Sequence, residues 1–356
     1  MADETIAIEK PAAKNTTLYW VAVLVVLAVL VWVFRGRIHF DWGSFASQLK
    51  KASLLHIGAG IVLIWVSNWM RSARWMVLLS PVKKIPPFAT VGSQFIGFTA
   101  VALFGRLADL TRPYLIAKRV ELSVSSQIAV YTIERMFDLG AAAILFSGAL
   151  AFTPATAPHH EVFVKAGLVS LGGTAVLAVF AVAIRVSGGV LARVAKAVFG
   201  KISEGLGERI GEKILGFREG LQAISSVQEF LVALAISLVI WGMIGEAYVQ
   251  TAHAFVETPE LVSLTFSRTM LLLAVSIGGS LLQLPVIGWF TQIAVTATTM
   301  HTLYGAPIEA ATACGGVLLA VTTLSIVPVG LVYAQIGKVS LRGVAKEAAV
   351  AEGVDG

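Results

Sequence analysis

The feature that most constrains this chain is a series of long apolar runs without charged residues, of which Leu18–Phe34 is the plainest. A hydrocarbon core roughly 30 Å thick requires about 20 apolar residues in each spanning helix. Soluble domains carry about 25% charged residues, whereas this chain has 13% charged and 57% hydrophobic residues. The sequence therefore predicts an all-α, polytopic membrane protein with about eight membrane segments.

The pattern along the chain predicts a single transmembrane domain at 18–335 between two tails, 1–17 and 336–356. A short amphipathic helix is expected over Phe40–Lys51, and a second span from Leu54 to about Leu79. The segment 185–229 is the largest polar stretch. Apolar residues recur there every four positions, which predicts an amphipathic helix or helix pair at the cytoplasmic surface: Val190, Val194, Val198, Ile202, Leu206, Ile210 and Ile214.

The distribution of Lys and Arg indicates the orientation. Basic residues are concentrated in 71–84, 118–119, 185–218 and 338–346, and are absent from 153–161, 253–260 and 301–309. Because cytoplasmic loops carry the excess of Lys and Arg, both tails are expected in the cytoplasm, although the basic segment 35–51 then falls outside. The N-terminal apolar run has mixed charges before it and no signal-peptide cleavage site after it, so it is interpreted as a retained span in the cytoplasmic membrane.

Two regions are apolar but broken. The region 88–118 is interrupted near Phe104–Gly105, and the region 264–304 is interrupted near Leu284–Pro285. In the predicted orientation the first enters from the cytoplasm and the second from outside. Two such breaks in opposite senses predict opposed re-entrant hairpins, an inverted-repeat arrangement and a site near the midplane.

Charged residues within apolar regions are the principal site candidates. They form two groups: Arg106, Asp109 and Arg112 in the first broken region, and Glu134, Arg135 and Asp138 within the long span 123–152. Glu134 and Asp138 share a helix face, where like charges repel, so a cation is expected opposite them, with Arg106 or Arg112 nearest in the topology. Two compatible interpretations remain open: an ion-pair clamp, or a polar path that binds a lipid headgroup.

The second break supplies neutral candidates: Gln283, Pro285, Gly288 and Gln292. Pro285 removes a backbone donor and Gly288 permits a turn. Freed amides at a half-helix start would favour an anionic group, and the alternative is a kinked helix that packs on its neighbours. Arg71 and Arg74 end the second span, and they are interpreted as a cytoplasmic anchor whose side chains reach the membrane surface.

Several classes of function are not expected. The net charge of +6 arises from short basic runs between apolar segments, which argues against a nucleic-acid partner. The six histidines match no metal-ligand spacing, and phosphate-loop and hydrolase motifs are missing from the sequence. The single cysteine, Cys314, excludes an internal disulfide. We therefore expect neither a metal nor a cofactor; Glu246, within a span, is interpreted either as a proton relay or as a hydrogen-bonding residue.

Four segments resemble the lysylphosphatidylglycerol synthase transmembrane (flippase-like) family. Phe104–Leu115 resembles its Pro-Gly-Arg-x-Gly-Glu-x-x-Arg segment, and Glu134–Asp138 matches its Glu-Arg-x-x-Asp signature. Leu284–Gln292 is similar to its second break, and Arg71–Trp75 to its Arg-x-x-Arg-Trp motif. Phe104 stands where the family usually has Pro, and Gln292 where many members have Glu. The resemblance extends over roughly residues 18–340.

This resemblance implies translocation of a phospholipid or lipid-linked headgroup across the cytoplasmic membrane. The expected partners are membrane lipids with an anionic or zwitterionic headgroup, together with a possible homo-oligomer. Bifunctional members join this region to a soluble aminoacyltransferase domain. The tail predicted at 336–356 has no room for such a domain, so lipid aminoacylation by this chain alone is not expected. The alternative is a membrane-embedded enzyme or accessory subunit that acts on lipid-linked sugars or modified lipids, with Glu134 and Asp138 as a general acid–base pair.

Overall fold

The computed structural model describes residues 40–152, 160–200, 203–222, 226–280 and 287–341, together with 343, 344 and 347. All regular structure in these residues is helical. The helices are α1 Trp42–Lys51, α2 Leu54–Leu79, α3 Val91–Phe104, α4 Thr111–Val120, α5 Val124–Ala151, α6 His160–Gly200, α7 Glu204–Gln222, α8 Val227–His253, α9 Pro259–Val262, α10 Phe266–Ser280, α11 Ile287–Tyr304, α12 Ile308–Leu319 and α13 Ile326–Ile336. The first predicted span, Leu18–Phe34, lies outside the described residues.

The chain divides into two compact units, Met1–Gly43 and Ser44–Gly356. In the described part of the second unit, three helical stretches are long and apolar enough to cross a membrane: Leu54–Leu79, Val227–His253 and Ile308–Ile336. The helix α5 is comparably long, at 28 residues, but it carries the charges of Glu134, Arg135 and Asp138. The prediction of an all-α, polytopic membrane protein is confirmed.

The first broken region is a helical hairpin made of α3 and α4. Helix α3 ends at Phe104, and a 3-10 turn over Gly105–Ala108 follows. Gly105 has a φ of 71°, a left-handed conformation that costs glycine little. The two arms approach closely, since a Cβ built on Gly97 would lie 2.6 Å from Cβ of Arg112. The predicted break at Phe104–Gly105 is therefore confirmed.

The second broken region consists of α10 and α11, which pack against each other. Helix α10 ends at Ser280 and α11 begins at Ile287. Gln283 and Pro285, which carry the predicted break, lie outside the described residues. Helix α10 also contacts α5, and α11 contacts α12. The opposed insertion of the two regions into the membrane stays a prediction.

The predicted amphipathic segment is a helix pair. Helix α6 has non-helical backbone at Ser187, close to the boundary expected at Arg185, and α7 packs back on its last turns. The predicted apolar stripe is not the packed face of this pair, because Val190, Val194 and Val198 are each more than half exposed, at 52–54%. Burial falls instead on Ala192 and Ala195, whose small side chains allow close approach.

Candidate functional site

Glu134 on α5 is the centre of a buried ionic cluster. Its Oε1 accepts from Nη2 of Arg74 at 2.5 Å and from Nη1 of Arg112 at 3.1 Å. Its Oε2 accepts from the indole N–H of Trp75 at 2.7 Å and lies 2.8 Å from Nη2 of Arg112. Both carboxylate oxygens are therefore engaged by side chains from α2 and α4.

Asp138 extends the cluster by one helical turn. Its Oδ1 accepts from Nη1 of Arg74 at 2.7 Å and from the indole N–H of Trp241 at 3.2 Å. Its Oδ2 accepts from Nη1 of Arg71 at 3.1 Å. Arg74 also donates to Oγ of Ser237 at 2.7 Å. Helices α2, α5 and α8 are thus joined through charged hydrogen bonds, which are stronger than neutral ones.

The interpretation of Arg71 and Arg74 as an exposed anchor is corrected by their burial. Arg74 is fully buried and Arg71 is 7% exposed. A basic side chain reaches toward the membrane surface when water there is the best partner for its charge. Here the carboxylates of Glu134 and Asp138 take the place of water as partners of the two guanidinium groups. Both arginines therefore point into the protein.

Arg112 is the cation from the first broken region that meets Glu134, one of the two expected. It also donates to Oε1 of Gln94 at 3.0 Å, and its guanidinium lies 4.9 Å from the ring centroid of Phe98 and 5.0 Å from that of Tyr131. Cations are attracted to aromatic faces at such distances. The side chain of the other expected cation, Arg106, lies outside the described residues.

Arg135 belongs to the cluster but is held less firmly than its neighbours. Its Nη2 lies 3.2 Å from Oδ2 of Asp138 and 3.8 Å from Oε1 of Glu134. Its guanidinium also lies 5.0 Å from the ring of Tyr131. The Arg135 side chain is 40% exposed, whereas that of Arg74 is fully buried.

A cavity of about 430 Å³ lies beside this cluster. The first broken region contributes Gly105 and Asp109, and the second contributes Gly288 and Gln292. The wall also includes Phe98, Val101, Ala102, Tyr131, Arg135, Tyr248, Ser276, Ile277, Trp289, Thr322, Thr323 and Ile326. The structure thus brings the two broken regions together around one space, with Arg135 on its wall.

The wall from the second region is neutral and polar. Oγ of Ser276 accepts from the hydroxyl of Tyr248 at 3.0 Å and from Nε2 of Gln292 at 3.0 Å. These residues come from α8, α10 and α11, so the hydrogen bonds join three helices. Thr322 and Thr323 reach the same cavity from a π-helical segment, Ala320–Leu324, between α12 and α13. Such π-helical segments occur frequently at functional sites.

A smaller cavity of about 140 Å³ shares Phe98, Tyr248, Thr322 and Ile326 with the first. Arg71 and Asn68 line it, and Oδ1 of Asn68 is buried without a hydrogen-bond partner in the described residues. Phe98 lies against the guanidinium groups of both Arg71 and Arg112. The aromatic ring therefore borders both cavities and contacts both arginines.

Several participants are not evident from the sequence. Gln94, Ser237 and Trp241 contact the cluster, but each is an uncharged side chain within a largely apolar helix. The four-residue separation of Ser237 and Trp241 places both on one face of α8, which is the only sequence signal for them. Their role depends on α8 packing beside α5 and α2.

The other candidates lie apart from the cluster. Glu246 accepts a hydrogen bond from Gln250 at 2.8 Å, in keeping with its hydrogen-bonding interpretation. Cys314 is a free, fully buried thiol. Within the described residues, His, Cys, Asp and Glu form no group that could hold a metal ion.

The comparisons with known proteins agree with the motifs in these elements. None of the curated proteins and none of the solved structures matches the chain. The sequence model of one family, described as the lysylphosphatidylglycerol synthase TM region, matches residues 19–330. That match includes the whole ionic cluster and both broken regions. The chain therefore belongs to the lysylphosphatidylglycerol synthase TM-region family.

Proposed function

We propose that this protein translocates a phospholipid or lipid-linked headgroup between the leaflets of the cytoplasmic membrane. Family membership supports a membrane function related to lipids. The observation that carries the proposal is the cavity of about 430 Å³ between the two broken regions. Ligand cavities typically measure about 300–1,000 Å³, so this one has room for a headgroup while acyl chains remain in the lipid.

The chemistry of the cavity suits a polar group that must leave water. A charged group at the bilayer centre costs at least about 2.5–3.5 kcal/mol on insertion scales. Arg135, Asp109 and Gln292 on the wall replace part of the lost hydration. Ion pairs hold Arg71, Arg74 and Arg112 in place beside this wall.

The enzymatic alternative has less support. A general acid or base needs a carboxyl oxygen within reach of its substrate. Both oxygens of Glu134 contact Arg74, Arg112 or Trp75. Both carboxylate oxygens of Asp138 likewise accept hydrogen bonds, from Arg71, Arg74 and Trp241. In this arrangement the two acids hold arginines, and their role as an acid–base pair has no separate support.

The orientation proposed from the loop charges, with both tails in the cytoplasm, has a direct test. Cysteines introduced at His160 and Glu257 are expected to react with an impermeant thiol reagent on intact cells, and one at Lys201 is not. Labelling at Lys201 alone would reverse the proposed orientation.

Translocation is tested in vesicles of defined composition. The purified protein is reconstituted with fluorescent phosphatidylglycerol or phosphatidylethanolamine, and an impermeant reductant bleaches the outer leaflet. We expect protein-dependent exchange of at least one lipid. Ala102→Trp, which fills the cavity, should abolish that exchange, whereas Leu139→Trp, at a position that is 73% exposed and does not line the cavity, should preserve it.

Two results would count against the proposal. One is lipid exchange no faster than in protein-free vesicles for both lipids. The other is equal exchange by Ala102→Trp and by the unmodified protein, which would place the translocation path elsewhere. Size-exclusion profiles and melting temperatures of both variants establish that each remains folded.

A further inference from the structure

The four arginines of the ionic cluster differ in how completely they are paired. Arg71, Arg74 and Arg112 have side chains that are at most 9% exposed, and each donates at least one hydrogen bond to a carboxylate. Arg135 is 40% exposed. Its Nε and Nη2 form no hydrogen bond with the described residues, although Nη2 lies within ion-pair distance of Asp138. Arg135 is therefore the least satisfied cation of the cluster.

The cluster also carries an excess of positive charge. Among the described side chains, four guanidinium groups share two carboxylates, Glu134 and Asp138, which leaves an excess of two positive charges. Asp109 also lines the cavity. Uncompensated charge is costly where little water is present. An anion in the cavity next to Arg135 would lower that cost.

A second observation comes from the opposite broken region. Ser276 is 1% exposed and lines the cavity. Its hydroxyl oxygen accepts hydrogen bonds from Tyr248 and Gln292, so both lone pairs are occupied. The hydroxyl proton has no acceptor among the residues that the structure describes. A buried hydroxyl donor without an acceptor is costly, and an anionic or hydroxyl-rich ligand would supply the acceptor.

We propose that Arg135 is the anion-binding residue of the cavity and that its ligand is the phosphate of a lipid headgroup, with Ser276 as a donor on the facing wall. Guanidinium groups match phosphate geometry through paired N–H donors. Arg112 is excluded from this role because it does not line the cavity, and Glu134, Gln94 and two aromatic rings surround its guanidinium. The inference rests on the proposed function in taking the phosphate to belong to a lipid.

The test is calorimetric titration of the detergent-purified protein with three probes: dihexanoylphosphatidylglycerol, dihexanoylglycerol and inorganic phosphate. Losing a hydrogen-bonded charge pair weakens binding by roughly tenfold to a hundredfold, and we expect that loss for the phospholipid in Arg135→Gln. Arg135→Lys keeps the charge without the paired donors and should lie between. Ser276→Ala should weaken binding by about threefold to tenfold. The Ser276→Ala variant still tests the phosphate site if Arg135→Gln fails to fold.

The matched control is Arg268→Gln. Arg268 also lies near an aromatic ring, that of Tyr304, at 5.9 Å, but it does not line the cavity. Its binding of phospholipid should equal that of the unmodified protein. Dihexanoylglycerol, which lacks the phosphate, should bind at least about tenfold more weakly than the phospholipid and should be insensitive to Arg135→Gln.

The results separate this inference from the proposed function. Unchanged phospholipid binding in Arg135→Lys and Ser276→Ala, or equal binding of dihexanoylglycerol, would overturn the phosphate site. Inorganic phosphate that binds as tightly as the phospholipid would overturn its assignment to a lipid. Arg135-dependent binding without lipid exchange in vesicles would support the phosphate site and refute translocation. Normal lipid exchange by Arg135→Gln would support translocation and refute the role of Arg135 as its phosphate-binding residue.

Discussion

The two broken regions reach the same cavity with different chemistry. The first, α3 and α4, lines it with Gly105 and Asp109. It also supplies Arg112 to the ionic cluster beside the cavity, where Glu134 and two aromatic rings fix the guanidinium. The second, α10 and α11, contributes neutral groups, Ser276 and Gln292, joined by one hydrogen bond. A charged pair in a buried setting must keep its partner, while a neutral amide can exchange partners at lower cost. The comparison indicates a fixed ionic cluster beside the first region and a more adaptable neutral wall at the second.

The space around two glycines, Gly97 in the first region and Gly315 next to the second, also differs. In the first region, a Cβ on Gly97 would lie 2.6 Å from Cβ and 3.0 Å from Cα of Arg112. In the second, Gly315 of α12 allows α11 to approach, but its nearest neighbours, Thr296 and Ile293, lie 3.0–3.5 Å away. The contact of Gly97 with Arg112 inside the first hairpin is therefore tighter than the contact of Gly315 with α11.

The largest effect is expected when the ionic cluster loses Glu134, one of its two acids. Glu134→Ala leaves Arg74 and Arg112 without their shared carboxylate, and breaking a buried pair costs about 3–5 kcal/mol. We expect a large fall in melting temperature, measured by size-exclusion chromatography after heating. Gln292→Ala on the neutral wall is the control. A melting temperature unchanged by Glu134→Ala would mean that the ionic cluster does not hold the fold together.

Much of this arrangement can be predicted from residue order. The apolar run from Leu54 to Leu79 and the interruption at Gly105 coincide with the observed helix boundaries. Because Glu134 and Asp138 are four residues apart in an apolar span, a cationic partner could also be expected. These features depend only on local pattern and on the cost of charge in lipid.

The identity of the partners depends on which helices are neighbours. Arg71 and Arg74 end an apolar run, as anchoring residues do, and only the packing of α2 beside α5 and α8 turns them toward Glu134 and Asp138. Likewise, the four-residue repeat at Val190 and Val194 marks a face of the helix, but periodicity does not say whether lipid or protein covers it. Long-range contacts of this kind leave no signal in a single sequence.

A second prediction concerns the close contact inside the first hairpin. Gly97→Ala should cost about 1–3 kcal/mol, because the added methyl group overlaps Cβ and Cα of Arg112. Gly140→Ala is the matched control on α5, where a Cβ would meet nothing within 4 Å and helix propensity favours alanine by up to about 1 kcal/mol. Equal falls in melting temperature for both variants would show that the close contact between Gly97 and Arg112 does not limit the packing of the first hairpin.

Substitutions on the neutral wall should lower the stability of the protein by less. Gln292→Ala removes one hydrogen bond to Ser276, worth about 0.5–1.5 kcal/mol. Because the two residues are in direct contact, the double variant Ser276→Ala/Gln292→Ala should lose less stability than the two single losses added together. A double-mutant cycle on melting temperatures measures the difference. Full additivity would show that the hydrogen bond does not couple α10 to α11.

The smallest effect is expected where the C-terminal segment holds the first region. Glu347 accepts from the hydroxyl of Tyr114 at 2.6 Å and from Nζ of Lys118 at 3.1 Å, and Val344 packs near Leu115. The Tyr114 hydrogen bond, then Lys118, holds the pKa of Glu347 below its usual range. A lowered carboxyl pKa gives a contribution that is present above the ordinary value of about 4.3 and lost as pH falls through the lowered value.

A nitroxide attached at Gly343→Cys, in a protein whose buried Cys314 is replaced by serine, reports this release. Its electron paramagnetic resonance spectrum should show slow motion at pH 7 and faster motion once the pH falls through the lowered pKa of Glu347. Glu347→Gln should show faster motion throughout and no transition, because the titrating group is gone; Tyr114→Phe should move the transition to higher pH, since the hydrogen bond that lowers the Glu347 pKa is lost. A transition that survives in Glu347→Gln would assign the release to another carboxyl group and remove the C-terminal contact from the features that distinguish the first region.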